Sequence, residues 1–229
     1  TLADRASHQL IADRLSVTGL PLLSEEGLAI PYQERAEWKR FWLVDPLDGT
    51  REFIKRNGEF TVNIALVEDN RPVLGVIYAP ALDLLYFGSL EQGAYKKESF
   101  MGSEQETQRL WQETDKIDAV ASDGPFTVVA SRSHLSPETQ AYIDSLREFR
   151  PELQFASRGS SLKLCLIAEG SAHLYPRLGP TMEWDTAAGH AIVEAAGGSV
   201  CIYGEDRALK YNKPEMLNPW FIAMAKLAQ

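Results

Sequence analysis

Basic residues are outnumbered: 23 Lys and Arg stand against 32 Asp and Glu, a formal net charge of −9. That balance excludes the broad cationic footprint with which a protein neutralises a nucleic-acid polymer. A small anion remains allowed, held by local cations or by carboxylates that bind a divalent metal. Cysteine is scarce. Cys165 and Cys201 lie far apart and form no CxxC pair, which excludes a disulfide framework or a zinc knuckle and makes a reducing, cytoplasmic setting the default. Long apolar runs are missing: Phe60 to Val67 is interrupted by Thr61 and Asn63 and has only the length of a strand. There is no internal repeat and no G-x-S-x-G, Cys/His or Walker pattern, and His8, His173 and His190 show no metal-ligand spacing. An initiator Met and a secretory signal are absent too. The opening TLADRASHQLIADRL already carries Leu2, Ala6, Leu10 and Ile11 at helical spacing, so N-terminal sequence is expected to be missing.

What is present reads as a chain of 229 residues long enough for one large α/β unit or two closely packed halves. After the first helix, LPLLSEE reads as a short strand ending in two acids. FWLVDPLDGT is an apolar strand stopped at Asp45, with Pro46 and Gly49 imposing a turn and REFIKR forming a helix or helical turn. Phe60 to Val67, Val73 to Tyr78 and Leu84 to Phe87 read as an antiparallel meander. From Glu91 to Gly124 the composition turns polar, and a hairpin remnant with an exposed excursion is expected there rather than core. Phe126 to Ala130 reads as a strand leading to a helix begun by Pro137, with Tyr142, Ile143 and Leu146 on its apolar face. Ser161 to Glu169 reads as a helix stopped by Gly170, Ala172 to Tyr175 as a strand, and Asp185 as the N-cap of a helix ended by Gly197 and Gly198.

The chemistry starts at Asp45 and Asp48. Three apart across a Pro/Gly turn, their carboxylates can converge with a backbone carbonyl between them, a hard oxygen set suited to Mg²⁺. Gly49 and Thr50 follow at the start of a helical turn, where backbone N–H groups can meet an anion. Ordinary roles fit the same residues: Asp48-Gly49 as a turn, Thr50 and Asp185 as caps, Glu25-Glu26 as a solvated loop.

Three ordered segments resemble the signatures of the inositol monophosphatase superfamily. They are Leu23-Ser24-Glu25-Glu26, Trp42 to Thr50 (WLVDPLDGT), and Trp184-Asp185-Thr186-Ala187-Ala188-Gly189 with Gly197-Gly198. The longer stretch DPLDGTREFIKRNGEFTVNIAL, residues 45 to 66, is similar to the CysQ-type branch, the 3′(2′),5′-bisphosphate nucleotidases. The similarity continues through Arg132-Ser133-His134 and Gly159 to Lys163 as far as Leu217-Asn218-Pro219, and fails only around Gly102 to Asp123.

The resemblance implies that Glu25, Asp45, Asp48, Asp185 and the Leu47 carbonyl bind two or three Mg²⁺ ions. Glu25 and Thr50 resemble the pair that activates the attacking water, and Asp4 matches an Asp proposed as proton acceptor. Gly49 and Thr50 would face the phosphate, with Asp185 also near the substrate. Ser131, His134, Ser160 and Lys163 resemble positions that hold the nucleotide, and Lys163 supplies a cation for a second phosphate; Arg177 is added from its charge and position. Ser160, Ser161 and His134 equally suit caps or loop positions.

The implied fold is α/β, the layered α-β-α-β-α sandwich of the sugar-phosphatase superfamily. An N-terminal half, 1–123, carries most metal ligands; a C-terminal half, 124–229, carries the nucleotide-binding residues and the last ligand. The implied reaction converts adenosine 3′,5′-bisphosphate and water to AMP and phosphate, with 3′-phosphoadenylyl sulfate as a second substrate. It is tied to sulfur assimilation, Mg²⁺-dependent and Li⁺-sensitive, in the cytoplasm or loosely on the inner face of the membrane. The alternatives are an inositol or other sugar-phosphate phosphatase, and a metal- or nucleotide-binding module without turnover. The partner is a small bisphosphorylated nucleotide and no nucleic-acid polymer; the oligomeric state stays open.

Overall fold

A computed structural model describes residues 1–100, 107, 109–121, 124–130 and 135–227. Two sheets organise them. The first runs in the order β1 (Leu22–Ser24), β2 (Arg40–Asp48), β3 (Thr61–Glu68), β4 (Arg71–Ala79), β5 (Leu84–Ser89), β6 (Gly93–Glu98) and β7 (Asp115–Ile117), with β1 parallel to β2 and every later pair antiparallel. Short connections such as Asp69-Asn70, both in the left-handed region, allow the meander.

The second sheet contains β8 (Thr127–Ala130), β9 (Gln154–Ser157), β10 (Leu174–Arg177), β11 (Ser199–Ile202) and β12 (Phe221–Met224), in the spatial order β11-β12-β10-β8-β9. β8 lies parallel to both β9 and β10, whereas β12 runs antiparallel to both β10 and β11.

Helices fill the layers. Following the chain, they are α1 (Leu2–Ser16), α2 (Tyr32–Arg35), α3 (Thr50–Lys55), α4 (Leu110–Glu113), α5 (Pro137–Phe149), α6 (Leu162–Ala168) and α7 (Glu183–Ala195). α1 lies on β1 and β2; α6 and α7 lie between the sheets; α5 covers the far side of β10. The result is an α-β-α-β-α sandwich. The main core joins Phe41, Leu43 and Ile77 of the first sheet to Ile192 and Val193 of α7 and Phe221 of β12. Each fully buried aliphatic side chain there contributes about 2 kcal/mol of transfer free energy. A second cluster packs Ile143 of α5 on Val128, Ala130 and Leu174. α7 sits so close to β4 that a Cβ on Gly75 would fall 2.1 Å from the Ala188 carbonyl.

Two expectations from the sequence are corrected. The stretch after Glu91 supplies the expected hairpin strand, β6, but β7 extends the sheet further, and Ala94, Ala119 and Ala121 are buried where an exposed excursion was expected. Lys96 and Lys97 of β6 are only half-buried and the small alanines go inside, so average polarity hid the buried positions. α1 forms where the helical spacing places it. Leu2 and Leu10 are exposed, and Asp4 is the buried residue of that helix. Finally, α7 begins two residues before Asp185, with Met182 at the N-cap. Asp185 is therefore the third helical residue, and its carboxylate reaches back to the cap.

Candidate active site

β2 keeps regular register with β3 as far as Asp45, opposite Asn63, then slips so that Asp48 faces Thr61. Pro46 lies in the slipped segment, where its missing N–H costs no ladder hydrogen bond. Such a bulge re-aims side chains: Asp45 turns into the interior, 1% exposed, and accepts the Leu47 N–H on Oδ1 at 3.0 Å. From the opposite layer the first turn of α7 brings Asp185. One carboxylate oxygen each from Asp45, Asp48 and Asp185 lies within 4.8 Å of the others.

Ser161 joins the two sides. Its buried hydroxyl lies 2.8 Å from Asp48 Oδ2 and 3.1 Å from the Asp185 carbonyl, and it accepts from Asn63 Nδ2 at 2.7 Å. Ser160 turns through a positive φ of 47° and donates to the Asp48 carbonyl. Gly49, φ 88°, has no room for a side chain, because a Cβ would stand 2.0 Å from Ser160 Oγ. Neither serine hydroxyl caps α6; both are committed to the β2 terminus.

Crowding acids in a buried place raises their pKa values. Burial, then the charges of Asp48, Glu25 and Asp185, push Asp45 well above the carboxylate range. Burial and Asp48 raise Asp185 to about 7. Glu25, just after β1, is raised by burial and by Asp48, Glu26 and Asp4, against a hydrogen bond shared with Asp45. A convergent set of buried and half-buried carboxylate oxygens is the donor chemistry of a hard divalent cation, and the residues present fit one.

Beside the acids lies a cavity of about 280 Å³. Thr50, Lys163, Tyr175, Arg177 and Thr181 line it together with Asp48 and Asp185. Lys163, 6% exposed on α6, donates to the Ser160 carbonyl and approaches the Tyr175 ring at 5.8 Å. Burial lowers its pKa to about 8, with Arg177 adding to the effect and Asp48 opposing it. Arg177 donates from Nη2 to the Pro180 carbonyl, while its buried Nε has no hydrogen-bond partner.

The structure thus gathers Asp48, Gly49, Thr50, Ser160, Lys163, Arg177 and Asp185 around one cavity, with Asp45 behind them and Glu25 hydrogen-bonded to Asp45. Leu47 is buried within the bulge. Asp4 sits on α1, bonded to Thr1, and its charge reaches Glu25. Ser131 and His134 lie outside the described residues. Tyr175, Thr181 and Arg51 also line the cavity and were not singled out from the sequence. Tyr175 had the form of an ordinary strand residue, and only its place two before Arg177 hinted at the same wall.

A family model described as the inositol monophosphatase family matches residues 1–226. The chain is 48% identical over 224 residues to a Salmonella typhimurium protein named 3′(2′),5′-bisphosphate nucleotidase CysQ, covering 96% of the chain and 83% of that relative. Identity to the Escherichia coli K12 protein of the same name is 47%, with the same coverage. Among solved structures it is similar to CysQ from Bacteroides thetaiotaomicron, described as a bacterial member of the inositol monophosphatase family, with TM-score 0.93, 51% identity, and coverage of 97% and 83%. An inositol monophosphatase from Anabaena superposes with TM-score 0.73 at 25% identity, covering 97% of this chain and 81% of that one.

Proposed function

The chain belongs to the inositol monophosphatase family, and from that premise we propose that it is a 3′(2′),5′-bisphosphate nucleotidase. It hydrolyses the 3′-phosphate of adenosine 3′,5′-bisphosphate to AMP and phosphate, and accepts 3′-phosphoadenylyl sulfate, in sulfur assimilation. The observation that carries this reading is Lys163: a buried lysine shares one cavity with the carboxylate group. A substrate with one phosphate among the acids needs no such residue; one with a second phosphate does. The proteins of 45–48% identity carry the nucleotidase name, which supports the same reading.

Glu25, Asp45, Asp48, Asp185 and the Leu47 carbonyl would hold two or three Mg²⁺ ions, which when bound supply positive charge to the phosphoryl oxygens. Glu25 and Thr50 orient the attacking water, and Glu25, its pKa raised by burial, takes the proton. Asp4 stands behind Glu25 as a further acceptor. The P–O3′ bond breaks as the water oxygen attacks phosphorus, and the released 3′ oxygen takes up a proton from solvent while Glu25 gives back to solvent the one it took. Gly49 and Thr50 border the phosphate; Lys163 and Arg177 neutralise the second one, and Ser131, His134 and Ser160 would hold the nucleotide. Two halves, 1–123 and 124–229, meet at this cleft.

The net charge of −9 favours a small-molecule substrate over a polymer. Among the described residues no helix is long and apolar enough to cross a membrane; we place the activity in the cytoplasm or peripherally on the inner membrane face. The test is phosphate release from adenosine 3′,5′-bisphosphate beside inositol 1-phosphate, with Mg²⁺ and with Mg²⁺ plus Li⁺. A nucleotide preference of about a hundredfold, two charge-assisted contacts' worth, abolished by Li⁺, is expected. A reversed preference would overturn the assignment of Lys163 to the second phosphate.

A further inference from the structure

The segment Leu217-Asn218-Pro219, where the family resemblance ends, has no role in the chemistry above. It lies against the first turn of α7. The Asp185 carboxylate accepts the Met182 N–H at 2.8 Å, so the direction of that N–H decides which way the carboxylate faces. Met182 N belongs to the planar peptide whose carbonyl is that of Thr181, and that carbonyl accepts the backbone N–H of Asn218 at 2.8 Å. The same peptide plane is therefore gripped at one edge by Asn218 and at the other by Asp185.

The Asn218 side chain repeats the grip. It is 5% exposed, and its Nδ2 meets the Met182 carbonyl at 2.8 Å, Thr186 Oγ1 at 3.0 Å and Thr181 Oγ1 at 3.2 Å. Both threonines line the cavity. Oδ1, by contrast, is buried with no partner. Three acceptors converge on the donor end of this amide while its acceptor end goes unsatisfied, a cost the fold carries to keep N–H groups at that point. Neighbouring contacts hold the arrangement from behind: Leu217 bridges Met182, and fully buried Glu183 accepts the backbone N–H groups of Asn212 and Lys213.

We propose that Asn218 is a positioning residue for Asp185, fixing the Thr181–Met182 peptide and thereby the direction of the Asp185 carboxylate. The inference rests on Asp185 being a metal ligand. Partners of this kind behind a ligand are worth about 10- to 100-fold in metal affinity. The experiment measures Mg²⁺ affinity of the full chain by calorimetry, without substrate, for Asn218→Leu and Asn218→Ala, with Asp185→Asn as reference. Leucine keeps the shape without the donor; alanine keeps the test readable should leucine prevent folding.

Each Asn218 variant should bind Mg²⁺ about tenfold more weakly, and its lost phosphatase turnover should return at raised Mg²⁺, which a general packing defect would not allow. Unchanged Mg²⁺ affinity in both Asn218 variants, with a clear loss in Asp185→Asn, would overturn the positioning role alone. No loss in Asp185→Asn would remove the ligand assignment, and this inference with it.

Discussion

The two walls of the cavity handle buried charge in opposite ways. On the acidic wall Asp45, Asp48 and Asp185 face one another, and burial with mutual repulsion drives Asp45 and Asp185 upward. On the basic wall Lys163 and Arg177 each donate to backbone carbonyls, of Ser160 and Pro180, so that part of their charge is satisfied within the fold. The basic wall tolerates an empty cavity. The acidic wall also accepts hydrogen bonds, from the Leu47 and Met182 N–H groups and from Ser161, but these leave its like charges facing one another, and protons or a cation relieve that repulsion. A ligand is therefore demanded on one side and merely accommodated on the other.

That contrast can be broken most sharply at Asp45. Asp45→Asn should lower kcat/KM for phosphate release by about a thousandfold, several kcal/mol of lost charge stabilisation. It should also raise the metal-free Tm, since an uncompensated buried charge is gone; a lowered metal-free Tm would show that repulsion is not the governing term. Lys163→Ala, on the other wall, should raise KM for the bisphosphate about 10- to 100-fold, the range of a charge-assisted contact, and leave a monophosphate nearly untouched. Equal effects on both substrates would remove Lys163 from the second-phosphate role.

Titration separates the walls by sign. Asp185 has a folded pKa raised to about 7, so the folded state holds a proton that the unfolded chain has lost. Its contribution is present below the unfolded carboxylate range and disappears as pH rises through about 7. Lys163 is depressed to about 8, so the folded state loses its proton first, and stability recovers as pH climbs from about 8 toward the ordinary lysine value. Metal-free Tm should fall from pH 5 to 7.5 and level off or rise above 8; Mg²⁺ should flatten the first limb only. A Tm that rises across the first limb would contradict the carboxylate assignment. The smallest effect belongs to the seam between the walls: Gly49→Ala should cost about 1–2 kcal/mol, read as a drop in Tm of a few degrees, with Ser160→Ala restoring part of it by removing the hydroxyl that a Cβ would meet.

Much of this was legible in the sequence because its signals are local. The bulge announces itself in DPLDG, with a proline that cannot join a ladder and a glycine that accepts positive φ. Pro137 and Ser136 begin α5 as their types suggest, Ser136 capping through Thr139 N. What was not legible depends on partners far away. Ser160 and Ser161 are good caps by type, yet both hydroxyls turn to Asp48, a preference set by a strand more than a hundred residues earlier. The start of α7 was misread for the same reason: Asp is a fine N-cap, but Asn218 and Met216 hold the preceding backbone in place, moving the cap to Met182. Lys163 was expected to supply a cation for a second phosphate, and its engagement with the Ser160 carbonyl appears only once α6 is folded.

The strand order of the second sheet bears on how the chain comes off the ribosome. β12, residues 221–224, is its last strand in sequence yet sits between β10 and β11. The first sheet, complete by residue 117, can assemble early in synthesis, as N-terminal units generally do. The second has a gap between β10 and β11 until residues 221–224 emerge, and Phe221, packed on Tyr175, arrives with them. A nascent chain therefore carries its early carboxylates in a finished sheet while the surface that opposes them is still open to solvent and to neighbouring chains, an interval in which a holding chaperone has an unpaired strand edge to shield.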